Sequence, residues 1–191
     1  MSQTIRTFVA IELDPEVRRS AAALIEGLRS VSSDVKWVAP ENLHLTLKFL
    51  GDVALNETSR ICDALARAAS EVEPFEIEIA GAGAFPNVSR PKTIWLGSRG
   101  DDRPLVELHK HVEKRLQKLG FRKEARRFQA HLTLGRLRRP GPGVESLGEL
   151  LKASADFEAG KTSVSQIFLF SSRLTSDGPI YAPLGRANLG V

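Results

Sequence analysis

The sequence predicts a mixed fold of helices and strands built from two duplicated strand–helix–strand units. The tetrapeptide His-Leu-Thr-Leu occurs twice, beginning at His44 and at His131. A strand pattern and a helix pattern precede each copy, with Thr7 37 residues before the first histidine and Thr93 38 residues before the second. Two copies are too few for a solenoid, so we expect the units to pair about a pseudo-twofold axis. Both motif strands would then line one shared cleft.

Each tetrapeptide alternates polar and apolar residues, which is the period of a half-buried strand. His44 and Thr46 therefore share one face, about 6.6 Å apart along the strand, and the leucines between and after them pack into the core. His131 and Thr133 repeat this arrangement in the second unit. Each face would present one imidazole and one hydroxyl to a small anion.

Composition limits the class of protein. The 191 residues carry a net charge of +4 and suffice for one domain with a substantial core. No apolar run approaches the 18 or more residues of a membrane span, and the N-terminal residues enter a strand pattern without the apolar region of a signal peptide. A single cysteine excludes an internal disulfide. We therefore expect a cytoplasmic protein without membrane contact.

The first half of the chain predicts three strands and two helices. Residues 4–13 form a strand pattern, and residues 14–15 supply an Asp N-cap and a proline for the helix that follows. A short strand at 35–38 precedes the first motif strand, which we expect to end at Gly51. Asn56 is the expected cap of a second helix.

The second half predicts a similar series, with a third helix opened by Asp101 or Asp102 and closed by Gly120. In chain order the other expected elements are a strand over 75–80, a glycine-rich loop over 81–87, a strand over 92–97, the second motif strand over about 128–137, a loop over 139–143, a short helix, and strands near 162–172 and 180–187.

The paired histidines suit the in-line opening of a phosphodiester. One imidazole removes a proton from the attacking water while the other gives a proton to the departing alkoxide. An ordinary imidazole pKa near 6.5 makes both protonation states available at neutral pH. Thr46 and Thr133 could donate hydrogen bonds to the non-bridging oxygens. The pseudo-symmetry leaves open which histidine is the acid.

Positive charge is concentrated around the second motif. The cluster consists of Arg122, Lys123, Arg126, Arg127, Arg136, Arg138 and Arg139. We expect Arg127, before the motif, and Arg136, after it, to contact phosphate or nucleic acid. Phe49 and Phe128 are candidates either for stacking on a base or for core packing.

A zinc site is the alternative use of the histidines. Neither motif carries a Cys, Asp or Glu at ligand spacing, and His109 and His111 lie two residues apart on the predicted helix instead of one turn apart. We expect these two histidines to be solvated and Cys62 to be a packing residue. No metal and no cofactor is therefore predicted.

The residues around both motifs resemble a known family. Paired His-x-Thr-x motifs are the signature of the two-histidine (2H) phosphoesterase superfamily, and residues 37–51 and 128–136 look like its RNA 2′,3′-cyclic phosphodiesterase branch, historically named 2′-5′ RNA ligase. Residues 6–11 and 83–86 also fit, so the resemblance covers nearly the whole chain. It implies one bilobal α+β domain over residues 1–191, with antiparallel sheets lining a central cleft and helices outside.

The resemblance also implies an activity, the metal-independent hydrolysis of a terminal RNA 2′,3′-cyclic phosphate to a 2′-phosphate. In that reaction His44 would be the proton donor to the leaving 3′ oxygen and His131 the proton acceptor from water. Thr46 and Thr133 would bind the phosphate. The expected partners are RNA ends or small nucleotides that bear the cyclic phosphate, and we expect a monomer.

Two other functions remain compatible with the residues. The same site could join RNA through a 2′-5′ linkage near equilibrium, because no adenylation lysine motif is present to drive ligation, or it could hydrolyse a small cyclic nucleotide. A non-catalytic RNA or nucleotide binder would use the cleft and the arginines, but it would not need both imidazoles.

Overall fold

The computed structural model describes residues 3–31, 34–176 and 178–191, and it confirms the mixed α+β fold. Its nine strands and four helices, within those residues, are β1 (Thr4–Glu12), α1 (Pro15–Arg29), β2 (Val35–Trp37), β3 (His44–Ala54), α2 (Thr58–Ala69), β4 (Phe75–Phe85), β5 (Thr93–Arg99), α3 (Arg103–Gln117), β6 (Leu132–Leu137), α4 (Val144–Ala153), β7 (Glu158–Val164), β8 (Gln166–Leu174) and β9 (Pro179–Asn188). None of these helices is long and apolar enough to cross a membrane.

The strands form one antiparallel sheet with two matching halves. Its order is β7-β4-β5-β6-β3-β1-β8-β9, and the short strand β2 also pairs with β6. Strands β3 and β6 are joined at one position, where Leu45 lies opposite Leu132. The two motif strands are therefore the junction between the halves, as the duplication predicts.

The structure contains the predicted repeat, but the alignment of its two units differs by one residue from the expected equivalence of Thr7 and Thr93. Phe8 lies opposite Phe49 in the first half, and Thr93 lies opposite Arg136 in the second. Because Phe49 and Arg136 each lie five residues after a motif histidine, Phe8 is the counterpart of Thr93. The difference matters, since a one-residue slip moves every side chain of a strand to the opposite face.

The main core lies between the helices and one face of the sheet. The spacing of three and four residues in α1 buries Val17, Ala21, Ile25 and Leu28, and the strands contribute alternate residues such as Val9 and Ile11. A second cluster lies on the other face of the sheet and consists of Phe8, Ala10, Phe168 and Phe170, with Tyr181 packed against it. This second cluster forms one wall of the cleft.

Of the two predicted helix caps, Asp14 is confirmed as the N-cap residue of α1, with Pro15 directly after it, and Asn56 is wrong. Asp14 precedes α1, but its carboxylate accepts the backbone N–H of Ser163 (3.1 Å) instead of capping its own helix. It thereby ties the start of α1 to β7. Asn56 lies inside a short 3₁₀ turn (Leu55–Glu57), and α2 begins two residues later at Thr58.

Four strand boundaries also differ from the predictions. Strand β6 begins at Leu132 and not near residue 128, so His131 lies directly before it. Strand β3 continues past Gly51, because β1 pairs with it as far as Ala54. The expected loop over 81–87 is mostly strand, since β4 runs to Phe85 and Gly81 (φ +78°) lies at a bulge where its backbone needs a left-handed conformation. The strand expected near 162–172 is two strands, β7 and β8.

Candidate active site

Four polar side chains meet at the junction of the two halves. Continuing the antiparallel register outward from Leu45 and Leu132 places each motif histidine beside the threonine of the other motif. Both leucines are buried in the core, so the polar residues project from the opposite face. The four residues are His44, Thr46, His131 and Thr133. The fold thus brings together two imidazoles and two hydroxyls that the sequence separates by 87 positions.

Both imidazoles are held by the same local hydrogen bond. Nδ1 of His44 bonds to the carbonyl oxygen of Asn42 (2.7 Å), and Nδ1 of His131 bonds to that of Gln129 (2.8 Å). A carbonyl oxygen only accepts, so Nδ1 carries the hydrogen in each ring and Nε2 is free for chemistry. In His44, Nε2 meets the Thr46 hydroxyl at 3.1 Å.

The surroundings of the two histidines differ. His44 packs against the Phe8 ring (centroids 4.8 Å apart) and meets the Tyr181 ring edge-on at 5.3 Å. His131 meets the edge of a single ring, that of Phe85, at 5.1 Å. Burial lowers the pKa of His44, and the hydrogen bond to the Asn42 carbonyl opposes that shift in part. At a given pH, His44 is therefore protonated to a smaller extent than a free imidazole.

This asymmetry predicts how His44 titrates. In the free protein we expect a midpoint below 6.5, because burial disfavours the imidazolium form. Inorganic phosphate should raise that midpoint, because a bound anion favours the charged form. Imidazole nitrogen chemical shifts followed by NMR across pH 4.5–8.5 measure both values, with His44→Gln used to assign the signal. A free-protein midpoint at or above 6.5 would contradict this description of the site.

Matching β-bulges decide which residues follow the motifs on the cleft face. Leu47 in β3 and Leu134 in β6 are extra residues without an opposite partner in the ladder. Each bulge reverses the alternation that the sequence alone predicts. Lys48 consequently turns inward and is 2% exposed, whereas Phe49 is 59% exposed. Arg136, the counterpart of Phe49, reaches the cleft side in the same way.

The two predicted arginines lie in different places. Arg136 lines a cavity of about 600 Å³ together with Asn42 and Tyr181, and its guanidinium donates to the Thr93 hydroxyl (3.1 Å). Arg127 lines a separate cavity of about 540 Å³ in the other half of the sheet, whose lining includes neither a motif histidine nor a motif threonine. Arg136 thus lies near His44, through the shared neighbours Asn42 and Tyr181, and Arg127 lies near Gln129, whose carbonyl holds His131.

The structure corrects the expected solvation of His109 and decides between the two alternatives for Phe128. His109 is buried instead of solvated, and it stacks on Phe128 with ring centroids 4.0 Å apart. Phe128 is therefore a packing residue. His111 is partly buried beside Glu71. Within the described ranges, no group of three or more His, Cys, Asp or Glu side chains is placed to hold a metal ion.

Sequence reasoning missed the residues that position the histidines. Asn42 holds His44 through its backbone and also donates from its side-chain amide to the Pro179 carbonyl (2.9 Å), which ties the site to the start of β9. Phe8 and Tyr181 lie far from His44 in sequence, and no local pattern connects them. The one available signal was the position of Asn42, two residues before the histidine in a turn.

A comparison with protein families identifies the fold's relatives. The family model of LigT-like phosphoesterases matches the chain twice, over residues 11–95 and 98–181, so each match contains one His-Leu-Thr-Leu copy. The chain belongs to the LigT-like phosphoesterase family. The resemblance to the 2H phosphoesterases is therefore confirmed, and the double match agrees with the duplicated architecture.

Individual relatives of this LigT-like phosphoesterase cover nearly all of it. The RNA 2′,3′-cyclic phosphodiesterases of Archaeoglobus fulgidus and Methanothermobacter thermautotrophicus are 39% and 38% identical to it, over 94% of this chain and 98% and 96% of theirs. The crystal structure of E. coli LigT complexed with 3′-AMP is 26% identical and superimposes with a TM-score of 0.75, over 99% of this chain and all of that one.

Proposed function

We propose that this LigT-like phosphoesterase hydrolyses the 2′,3′-cyclic phosphate at an RNA end, or on a small nucleotide, to a 2′-phosphate without a metal. The observation that carries the proposal is the pair of imidazoles at the sheet junction, each with Nδ1 held by a backbone carbonyl. Near-full-length relatives named RNA 2′,3′-cyclic phosphodiesterase support the choice of substrate. We further propose a monomeric cytoplasmic protein with one bilobal domain over residues 1–191.

The proposed reaction is a single in-line displacement at phosphorus. Nε2 of His131 accepts a proton from water as the water oxygen bonds to phosphorus. The bond from phosphorus to the 3′ oxygen breaks, and that oxygen takes a proton from Nε2 of His44. The product carries a 2′-phosphate and a free 3′ hydroxyl, and exchange with solvent returns both rings to their starting protonation states.

The threonines stabilise the charge that accumulates on the non-bridging oxygens. In the free protein the Thr46 hydroxyl faces the neutral Nε2 of His44. When a phosphate binds and His44 becomes protonated, that nitrogen no longer accepts, and the hydroxyl is released to donate to a phosphate oxygen. Thr133 is proposed to donate to a non-bridging oxygen from the second motif, and Arg136 to add positive charge near the site. Arg127 stays a candidate for contact with the phosphate.

The test is incubation of the pure protein, in EDTA, with an RNA oligonucleotide that ends in a 2′,3′-cyclic phosphate. Separation of the products should show the 2′-phosphate isomer and not the 3′-phosphate. Loss of activity in EDTA, or formation of the 3′-phosphate, would contradict the proposed reaction. If no product forms although the protein binds the RNA tightly and in a salt-dependent manner, the result would favour the non-catalytic binder.

A further inference from the structure

The cavity of about 600 Å³ beside Arg136 differs from the junction site in its lining. We call it the Phe49 cavity, and the residues that distinguish it are Arg6, Lys36, Phe49, Arg136, Leu174 and Ile180. Its volume lies within the range of about 300–1,000 Å³ that ligand pockets usually have. We propose that the Phe49 cavity binds the nucleotide directly 5′ of the one that carries the cyclic phosphate. This inference rests on the proposed function.

The position of the cavity relative to His44 supports that occupant. The Phe49 cavity and a smaller recess of about 150 Å³ that contains His44 share four lining residues, Phe8, Glu41, Asn42 and Tyr181. The leaving 3′ oxygen remains attached to the ribose, so the ribose lies on the side of the histidine that protonates it. The RNA chain continues from the 5′ oxygen of that ribose and has to leave the site on the same side.

The charge of the cavity suits a phosphodiester. Three cations line it, those of Arg6, Lys36 and Arg136, against one carboxylate, that of Glu41. None of the three forms an ion pair with a carboxylate of the residues that the structure describes. Lys36 and Arg136 also lie directly opposite each other on β2 and β6. Like charges at opposed positions repel, and a bound phosphate would relieve that repulsion.

The exposed ring of Phe49 suits a base. Among the described large apolar side chains that are exposed, Phe49 is the only aromatic one. The bulge at Leu47 turns this ring out of the core, and every base has a face that stacks on such a ring irrespective of sequence. Leu174 and Ile180, also exposed, add apolar surface at the same cavity.

The cavity that contains Arg127, in the other half of the sheet, does not combine several cations with an exposed aromatic ring. Its lining has one cation, Arg127, and one carboxylate, Asp102, and its aromatic residues Trp95 and Phe128 are both partly buried. The two halves share a fold but not this surface. The asymmetry therefore gives the RNA chain a direction, out over the His44 half.

The test compares kcat/KM on adenosine 2′,3′-cyclic phosphate and on a trinucleotide that ends in the same group. The wild-type protein should prefer the trinucleotide about tenfold or more, the effect of one stacked base. Phe49→Ala and Lys36→Gln should each lose most of that preference through a lower value on the trinucleotide alone. The matched controls are Leu184→Ala and Lys118→Gln, which change exposed residues outside the cavity and should keep the preference.

The outcomes separate this inference from the proposed function. Hydrolysis of the mononucleotide without any preference for the trinucleotide would overturn the inference and leave the proposed reaction standing. Equal losses on both substrates in Phe49→Ala and Lys36→Gln would also overturn it, because these residues would then support the junction site in general. Failure to hydrolyse either substrate would instead overturn the proposed function, on which the inference rests.

Discussion

Replacing either motif histidine by alanine should lower kcat on a cyclic-phosphate substrate by about 10²–10⁴-fold, the usual contribution of one proton-transfer group. His44→Ala removes the proposed proton donor, and His131→Ala removes the proposed acceptor. Single-turnover rates at saturating substrate measure the loss at the chemical step. Urea unfolding of each variant should show a folded protein, since both side chains lie at the cleft and not in the core.

The control is His111→Ala, which changes a histidine on α3 that is partly buried beside Glu71. This variant should keep near-wild-type turnover. The double variant of His44 and His131 should lose less than the product of the two single losses, because the two groups act in one step. Near-wild-type turnover in either single variant would show that the two imidazoles are not an acid–base pair.

Replacing Lys48 by methionine should destabilise the protein by about 3–5 kcal/mol, because it leaves a buried carboxylate without its partner. Nζ of Lys48 donates to Glu113 on α3 and to the Arg122 carbonyl (2.9 Å), and the other oxygen of Glu113 accepts the backbone N–H of Glu124 (3.2 Å). The ion pair thus attaches the first motif strand to α3 and to the segment that leads into the second motif.

Urea unfolding of Lys48→Met and of the double variant Lys48→Met/Glu113→Leu measures this effect. The double variant should recover a large part of the stability, since an apolar pair leaves no uncompensated charge. The control is Lys161→Met, whose ion pair with Glu76 is exposed and should contribute little. If Lys48→Met cost no more than Lys161→Met, the buried pair would not hold these segments together.

Much of the fold was predictable because its signals are local or repeated. The duplicated tetrapeptide places four side chains on one face of two strands, and their strand period needs no tertiary knowledge. The pairing of Leu45 with Leu132 follows from the duplication, since equivalent strands meet at the pseudo-twofold axis. The apolar spacing of α1 is likewise a property of the segment itself.

The residues that surround the histidines were not predictable, for a physical reason. A bulge depends on how two strands pair, so the alternation in β3 gives no sign that Lys48 turns inward and Phe49 outward. The contact of His44 with Tyr181 joins residues 137 positions apart. His109 looks like a flanking residue of its helix, and only the packing of Phe128 against it explains its burial.

In the proposed reaction His44 protonates the leaving 3′ oxygen while His131 activates water. The most direct measurement uses a nucleoside 2′,3′-cyclic phosphate in which sulfur replaces the bridging 3′ oxygen. A thiolate, whose conjugate acid has a pKa of about 8.5, departs without a proton, whereas an alkoxide does not.

The loss of activity in His44→Ala should therefore largely disappear on the sulfur substrate, while the loss in His131→Ala should remain. Rescue of His131→Ala instead would reverse the two roles. Absence of rescue in either variant would show that neither histidine delivers a proton to the leaving group.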